Sequence, residues 1–178
     1  MPHELVDSRT VYSGQFVKVR LDLVDRGGNR SESEVVEEGD GVLVVPVTQD
    51  QKIILIEQSR HLYGTTYEVP SGAINVGETP IEAAARELRE EAGLTASKFE
   101  LLSTHTNSVH MTGRNYYFMA TGLEPCGDGV CDPDEEFISQ KEANFPEIKK
   151  LIDDGRIPDI RNRGCLWLAQ LHILQVTD

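Results

Sequence analysis

Twenty-three residues, Gly72 to Leu94, constrain this chain more than any other stretch: GAINVGETPIEAAARELREEAGL. Thr79 fits a helix N-cap, Pro80 the first helical position, and Glu82 the capping-box carboxylate three residues on. Gly93 suits the left-handed residue that ends a helix. Between them Ala, Glu, Arg and Leu dominate, all strong helix formers. The spacing predicts a helix over 80–92, about three and a half turns.

On that helix Glu87, Glu90 and Glu91 stand at i, i+3 and i+4 and share a face. Ile81, Ala84, Ala85, Leu88 and Ala92 form an apolar stripe beside it. Three carboxylates on one face repel one another at neutral pH and call for positive charge. Arg86, one turn from Glu82 and Glu90, supplies one such charge. A hard divalent cation is a second source, since Mg²⁺ prefers oxygen ligands and bridges to substrate phosphates. A plain solvated acidic face is the other reading of the same charges.

The stretch resembles the Nudix box, G-x5-E-x7-R-E-U-x-E-E-x-G-U with U a bulky aliphatic. Gly72, Glu78, Arg86, Glu87, Leu88, Glu90, Glu91, Gly93 and Leu94 fill every specified position. Fixed residues at this spacing, in a loop–helix–loop context, make a specific signal. The resemblance implies hydrolysis of a nucleoside diphosphate linked to another group, with two or three Mg²⁺ or Mn²⁺ ions. It makes Glu87, Glu90 and Glu91 metal ligands, joined by the Gly72 carbonyl. It gives Arg86 the task of orienting the glutamates through charge-assisted hydrogen bonds and Glu78 that of bracing the loop.

The acidic balance bears on partners. A formal charge of −13 and a pI near 4.8 argue against nonspecific nucleic-acid binding and against anionic membrane surfaces. An anionic substrate then needs metal or local Arg and Lys to approach. No apolar run reaches the ~18 residues of a membrane span, and MPHELVDSRT has no apolar signal core, so a cytoplasmic protein is expected. Cys126, Cys131 and Cys165 are an odd number and imply no disulfide framework. Cys126 and Cys131 offer two ligands, too few for a zinc site, and read as ordinary loop thiols.

Along the chain, residues 8–24 read as strands, with Val17, Val19, Leu21 and Leu23 in alternation. DRGGN at 25–29 is a turn, and Glu32 to Glu38 returns as a strand with charged positions. Residues 1–38 thus form a β unit too short for its own core, with the main domain at 39–178. GVLVVPVT at 41–48 is apolar throughout and should be buried on both faces. KIILIEQ at 52–58 is a second apolar strand. Strands follow at 98–106 and 115–122, a Gly-, Pro- and Asp-rich loop at 124–134, and a strand beginning at Phe137. Helices close the chain at 146–154 and 159–174. In the second, Ile160, Leu166, Trp167, Leu171 and Leu174 are expected to face the core.

Arg60 sits at the end of the second apolar strand, where a side chain can face a site, and Glu68 lies four residues before Gly72. E-Q-S-R, then E-V-P-S-G, then the box is similar to the Nudix branch that cleaves ADP-ribose and other nucleoside diphosphate sugars. That resemblance implies substrate binding by Arg60 and a place for Glu68 in the metal and substrate region. It also implies an N-terminal β unit exchanged within a homodimer. The loop NSVHMTGR departs from this branch, which usually carries a proline there. Arg114 is a candidate phosphate ligand; His110 reads as solvated. Relatives carry a general base or extra metal ligand in the loop before the last strand, where Glu135 and Glu136 stand, and attacking water does need to lose a proton.

The expected architecture is α/β: the Nudix α/β/α sandwich with a mixed sheet, plus the N-terminal β unit. The expected activity is metal-dependent cleavage of ADP-ribose or a related nucleotide sugar. Another Nudix substrate, such as a modified nucleoside triphosphate or a dinucleoside polyphosphate, is one alternative. A non-catalytic ADP-ribose sensor is another, although the intact box glutamates speak against it.

Overall fold

The computed structural model describes residues 3–126 and 137–176. They fall into two compact units, Met1–Asp40 with His105–Asn115, and Gly41–Thr104 with Tyr116–Asp178.

The first unit is a three-stranded antiparallel sheet in the order β1(Glu4–Ser13), β2(Lys18–Asp25), β3(Arg30–Glu37). Its β2–β3 turn uses Gly27 and Gly28 at positive φ, and the Gly28 N–H donates to Asp25 Oδ1 at 2.6 Å. The returning segment joins β3: Val36 bridges Met111 in parallel, and the Val36 N–H donates to the His110 carbonyl at 2.8 Å. Asp22 is buried, bonded by Ser8 Oγ and Arg20 Nε, whereas no apolar side chain among the described residues of this unit is fully buried. Alternation along β2 gives an apolar face without giving a core.

The second unit is layered. Its strands form two groups, in the orders β10(Phe137–Ala143)–β5(Ile53–Arg60)–β6(Gly64–Glu68) and β7(Ser71–Ala73)–β4(Gly41–Pro46)–β9(Arg114–Pro125)–β8(Leu94–Thr106). Strand β4 is buried on both faces. Leu43 and Val45 enter one core with Leu55, Ile148 and Leu166; Val42 and Val44 enter a second with Ile56, Ala84 and Leu88. The first core lies under α2(Phe145–Asp153) and α3(Ile160–Val176), the second under α1(Pro80–Ala92). Helices on both faces of a mixed sheet make the chain an α/β protein, because a sheet apolar on both faces must be covered on both.

Helix α1 has the ends its sequence predicts. Thr79 caps it in a reciprocal box with Glu82, and Gly93 closes it at φ 58°. Its buried face differs from the apolar stripe: Ile81 and Ala85 point to solvent, while Ala83, Ala84, Glu87, Leu88, Glu91 and Ala92 are buried. Strand β8 starts at Leu94, directly after the helix, rather than at Lys98. The expected core face of α3 is also corrected. Only Leu166 of the five is buried; Trp167 is 60% exposed, and Ile160, Leu171 and Leu174 are exposed too. Cys165 is a fully buried α3 residue, and burial pushes its pKa up.

Candidate active site

The site is built where β5, β6 and β7 meet α1. Strand β5 alternates: Ile56 and Gln58 turn toward α1, while Leu55 enters the core under α2 and α3 and Glu57 accepts from Arg156 in the loop between those helices. Antiparallel pairing sets Ile56 opposite Glu68 and Arg60 opposite Gly64. This hairpin was not visible as a strand pair in SRHLYGTTYE, which has no clean alternation. At its end Arg60 grips Glu68 with two parallel bonds, Nε to Oε1 and a terminal nitrogen to Oε2, both 2.8 Å. Thr66 Oγ1 adds a third at 2.7 Å. Glu68 is buried, whereas Arg60 keeps part of its guanidinium exposed.

The box glutamates occupy two environments. Glu87 and Glu91 are 7% and 4% exposed, turned against the sheet, while Glu90 is half-exposed. This geometry sets aside the solvated acidic face. Glu91 Oε2 accepts from the Ser71 N–H at 2.5 Å and its Oε1 from Gln58 Nε2 at 3.4 Å. Glu87 lies on Gly72, and a Cβ there would collide with its carboxylate, so only glycine lets the strand and the acid come this close.

Arg86 ties the carboxylates together. Its guanidinium donates to Glu78 at 2.9 and 3.1 Å, to Glu87 Oε1 at 2.7 Å, to Glu90 Oε2 at 3.1 Å and to the Ala73 carbonyl at 2.8 Å. Those anions, Glu78 first, raise its pKa and hold it protonated. Glu78 is lowered in turn by Arg86 and by the Asn75 N–H, which donates to it at 2.9 Å. One arginine thus links the loop before the helix, strand β7 and two box glutamates.

Among the described residues no three acidic, imidazole or thiol side chains already converge as a metal shell. The donor chemistry nonetheless suits a hard divalent cation. The clustered groups are carboxylate, carbonyl and amide oxygens, and the backbone is opened by a glycine where the buried acid lies.

The second unit therefore brings together Arg60, Glu68, Gly72, Arg86, Glu87, Glu90 and Glu91. Arg114 belongs to the first unit, where its N–H donates to Asp40 Oδ1 at 2.8 Å. His110 is exposed there, in agreement with a solvated side chain. Glu135, Glu136 and Cys131 lie outside the described residues.

Sequence reasoning missed two residues. Gln58 is buried beside Glu91. Asn162 of α3, 1% exposed, accepts the Val69 N–H at 2.7 Å and pins the segment between Glu68 and Ser71. A polar residue inside an apolar pattern was the available signal for each: Gln58 ends KIILIEQ, and Asn162 sits one turn before Leu166.

Comparison with known proteins agrees with this geometry. The NUDIX domain model matches residues 37–156. A methanol dehydrogenase activator of Bacillus methanolicus is 30% identical over 169 residues, covering 93% of this chain and 91% of that one. An ADP-ribose pyrophosphatase of Mycobacterium tuberculosis (strain ATCC 25618 / H37Rv) is 36% identical over 158 residues, covering 86% and 76%. A crystal structure of an ADP compounds hydrolase superposes with a TM-score of 0.85 over 98% of this chain and 96% of that one, at 22% identity, and so speaks for the fold. With the domain match spanning more than half of the 178 residues and the box built around Arg86, this chain belongs to the Nudix hydrolase family.

Proposed function

We propose that the chain hydrolyses the diphosphate bond of ADP-ribose or a related nucleoside diphosphate sugar, using Mg²⁺ or Mn²⁺, and releases a nucleoside monophosphate and a sugar phosphate. The observation that carries this reading is the burial of Glu87 and Glu91 against Gly72 and Ser71, with Arg86 holding the set in place. Likeness to the mycobacterial ADP-ribose pyrophosphatase supports the substrate class.

In this reading Glu87, Glu90, Glu91 and the Gly72 carbonyl hold two or three ions. Bound there, divalent ions neutralise the diphosphate, polarise its P–O bonds and acidify water. The chain's own residues do the rest. Arg86 keeps the carboxylates oriented between turnovers. Glu68 and Thr66 fix the Arg60 fork at the end of β5, where its exposed part can bind a phosphate oxygen. Arg114 is a second candidate for phosphate, and Glu135 or Glu136 for the base that takes the proton from water.

The first unit fits a homodimer. All ten residues of its edge strand β1 are exposed, Leu5, Val6, Val11 and Tyr12 among them. An open, partly apolar edge of this length is a template for pairing with another chain.

The test is a hydrolysis panel with Mg²⁺, then Mn²⁺, over ADP-ribose, ADP-glucose, UDP-glucose, GDP-mannose, NADH, diadenosine polyphosphates and nucleoside triphosphates, with Glu90→Gln as blank. AMP and ribose 5-phosphate released fastest from ADP-ribose support the assignment. Faster cleavage of triphosphates moves the substrate while the chemistry stands. Binding of ADP-ribose with no product in either metal replaces the enzyme with a sensor. Nearly full-length likeness to the methanol dehydrogenase activator favours a second reading, action on a partner protein. It predicts slow turnover of every free nucleotide in the panel.

A further inference from the structure

Gln58 is 2% exposed, yet its side-chain oxygen has no hydrogen-bond donor among the described residues. Buried polar atoms are nearly always satisfied, so an orphan asks for an explanation. The one other such atom among the described residues, Ser31 Oγ, belongs to the first unit. Gln58 stands at the acidic cluster itself, with Nε2 3.4 Å from Glu91 Oε1.

Turning the amide over does not remove the problem. Exchanging N and O would set an oxygen against the Glu91 carboxylate and leave an NH₂ in place of the orphan. The donor to Glu91 is therefore nitrogen, and the acceptor is left over. Among the described residues, neighbouring strands do not supply a donor. Thr66, opposite Gln58 in the hairpin, donates its hydroxyl to Glu68 at 2.7 Å and reaches only the backbone carbonyl of Gln58, at 3.5 Å. A larger apolar residue would fill the same place in β5 with no unsatisfied atom, as Ile54 and Ile56 do.

We infer that Gln58 is a member of the cation site: its amide nitrogen positions Glu91 and its oxygen accepts a hydrogen bond from water bound to the cation, or binds the cation directly. This rests on the metal-dependent reading above. It assigns Gln58 a positioning role that the box pattern does not contain, and it explains why a buried apolar run in β5 carries an amide.

The experiment uses Mn²⁺ alone as probe, with the full chain and no nucleotide. Binding is followed by the loss of the free-ion electron paramagnetic resonance signal and by calorimetry. Gln58→Leu should weaken Mn²⁺ binding about tenfold, the scale seen when an outer partner of a metal ligand is removed. The metal-free protein should melt at the same temperature or higher, because the orphan is gone. Wild-type affinity within twofold in Gln58→Leu overturns the inference and leaves the metal reading intact. A lower melting temperature of the metal-free variant, with affinity unchanged, assigns Gln58 to packing and also overturns it. Should Gln58→Leu not fold, Gln58→Met, closer in shape, carries the same comparison; failure of both to fold overturns the inference in favour of a structural role. Glu91→Gln separates the two levels: if wild type binds no Mn²⁺, or Glu91→Gln binds as wild type does, the cation site falls and Gln58 with it.

Discussion

Two single residues show how little freedom the site has. Gly72 needs no unusual φ; what it lacks is a side chain, and the space is taken by Glu87. Because the obstacle is the end of a flexible chain, Gly72→Ala should fold but displace the carboxylate from Arg86. Expected is a fall in kcat of about a hundredfold or more, a 1 Å misplacement being enough for such losses, with an unchanged circular dichroism spectrum. Wild-type turnover would show that Glu87 does not need its place. Asn162 acts from the opposite face of the sheet. Asn162→Ala strips the buried Val69 N–H of its acceptor, at a cost of about 1–3 kcal/mol, or roughly 2–4 °C in melting temperature per kcal/mol for a chain of this size. KM should rise as well, since Val69 adjoins Glu68. A drop in melting temperature without any kinetic change would make Asn162 a packing residue only.

At the scale of elements, the caps and limits of α1 were legible because they are local: Thr79, Pro80, Glu82 and Gly93 act within one turn of themselves. The buried face was not. Apolarity alone selects Ile81 and Ala85, but Ser71, Gly72 and Gln58 offer the helix a polar strip, and that strip draws Glu87 and Glu91 inward. The β5–β6 hairpin escaped notice because SRHLYGTTYE has no clean alternation; the bonds from Arg60 and Thr66 that satisfy the buried Glu68 show only in three dimensions. The loop-to-helix brace carries its own pH signature. Glu78 is held below its ordinary value of 4.5 by Arg86. Its contribution is present above that value and is lost as pH falls through the depressed one. Glu78→Gln should therefore melt below wild type at pH 7, and the gap should narrow as pH falls below 4.5 and close once it is below the depressed value. A gap constant with pH would remove the ion pair from the account.

For the whole molecule the net charge sets the terms of approach. At −13, the chain repels an anionic substrate over distances that salt controls. The Debye length is about 30 Å at 0.01 M and about 8 Å at 0.15 M. With divalent metal saturating, KM for a nucleotide sugar should fall as monovalent salt rises across that range. A rising KM would mean that local arginines, not net charge, govern encounter. Composition sets that expectation, whereas the grouping of residues 105–115 with residues 1–40 had no signal in the sequence. Pairing of Val36 with Met111 is a contact across more than seventy positions and leaves no trace in local pattern. It also bears on inheritance. A recombination that transplanted residues 1–40 as a cassette would leave behind the stretch that β3 bonds to. The segment and its graft site must therefore travel together, and lineages that exchange this end of the gene should change the 105–115 loop in the same step.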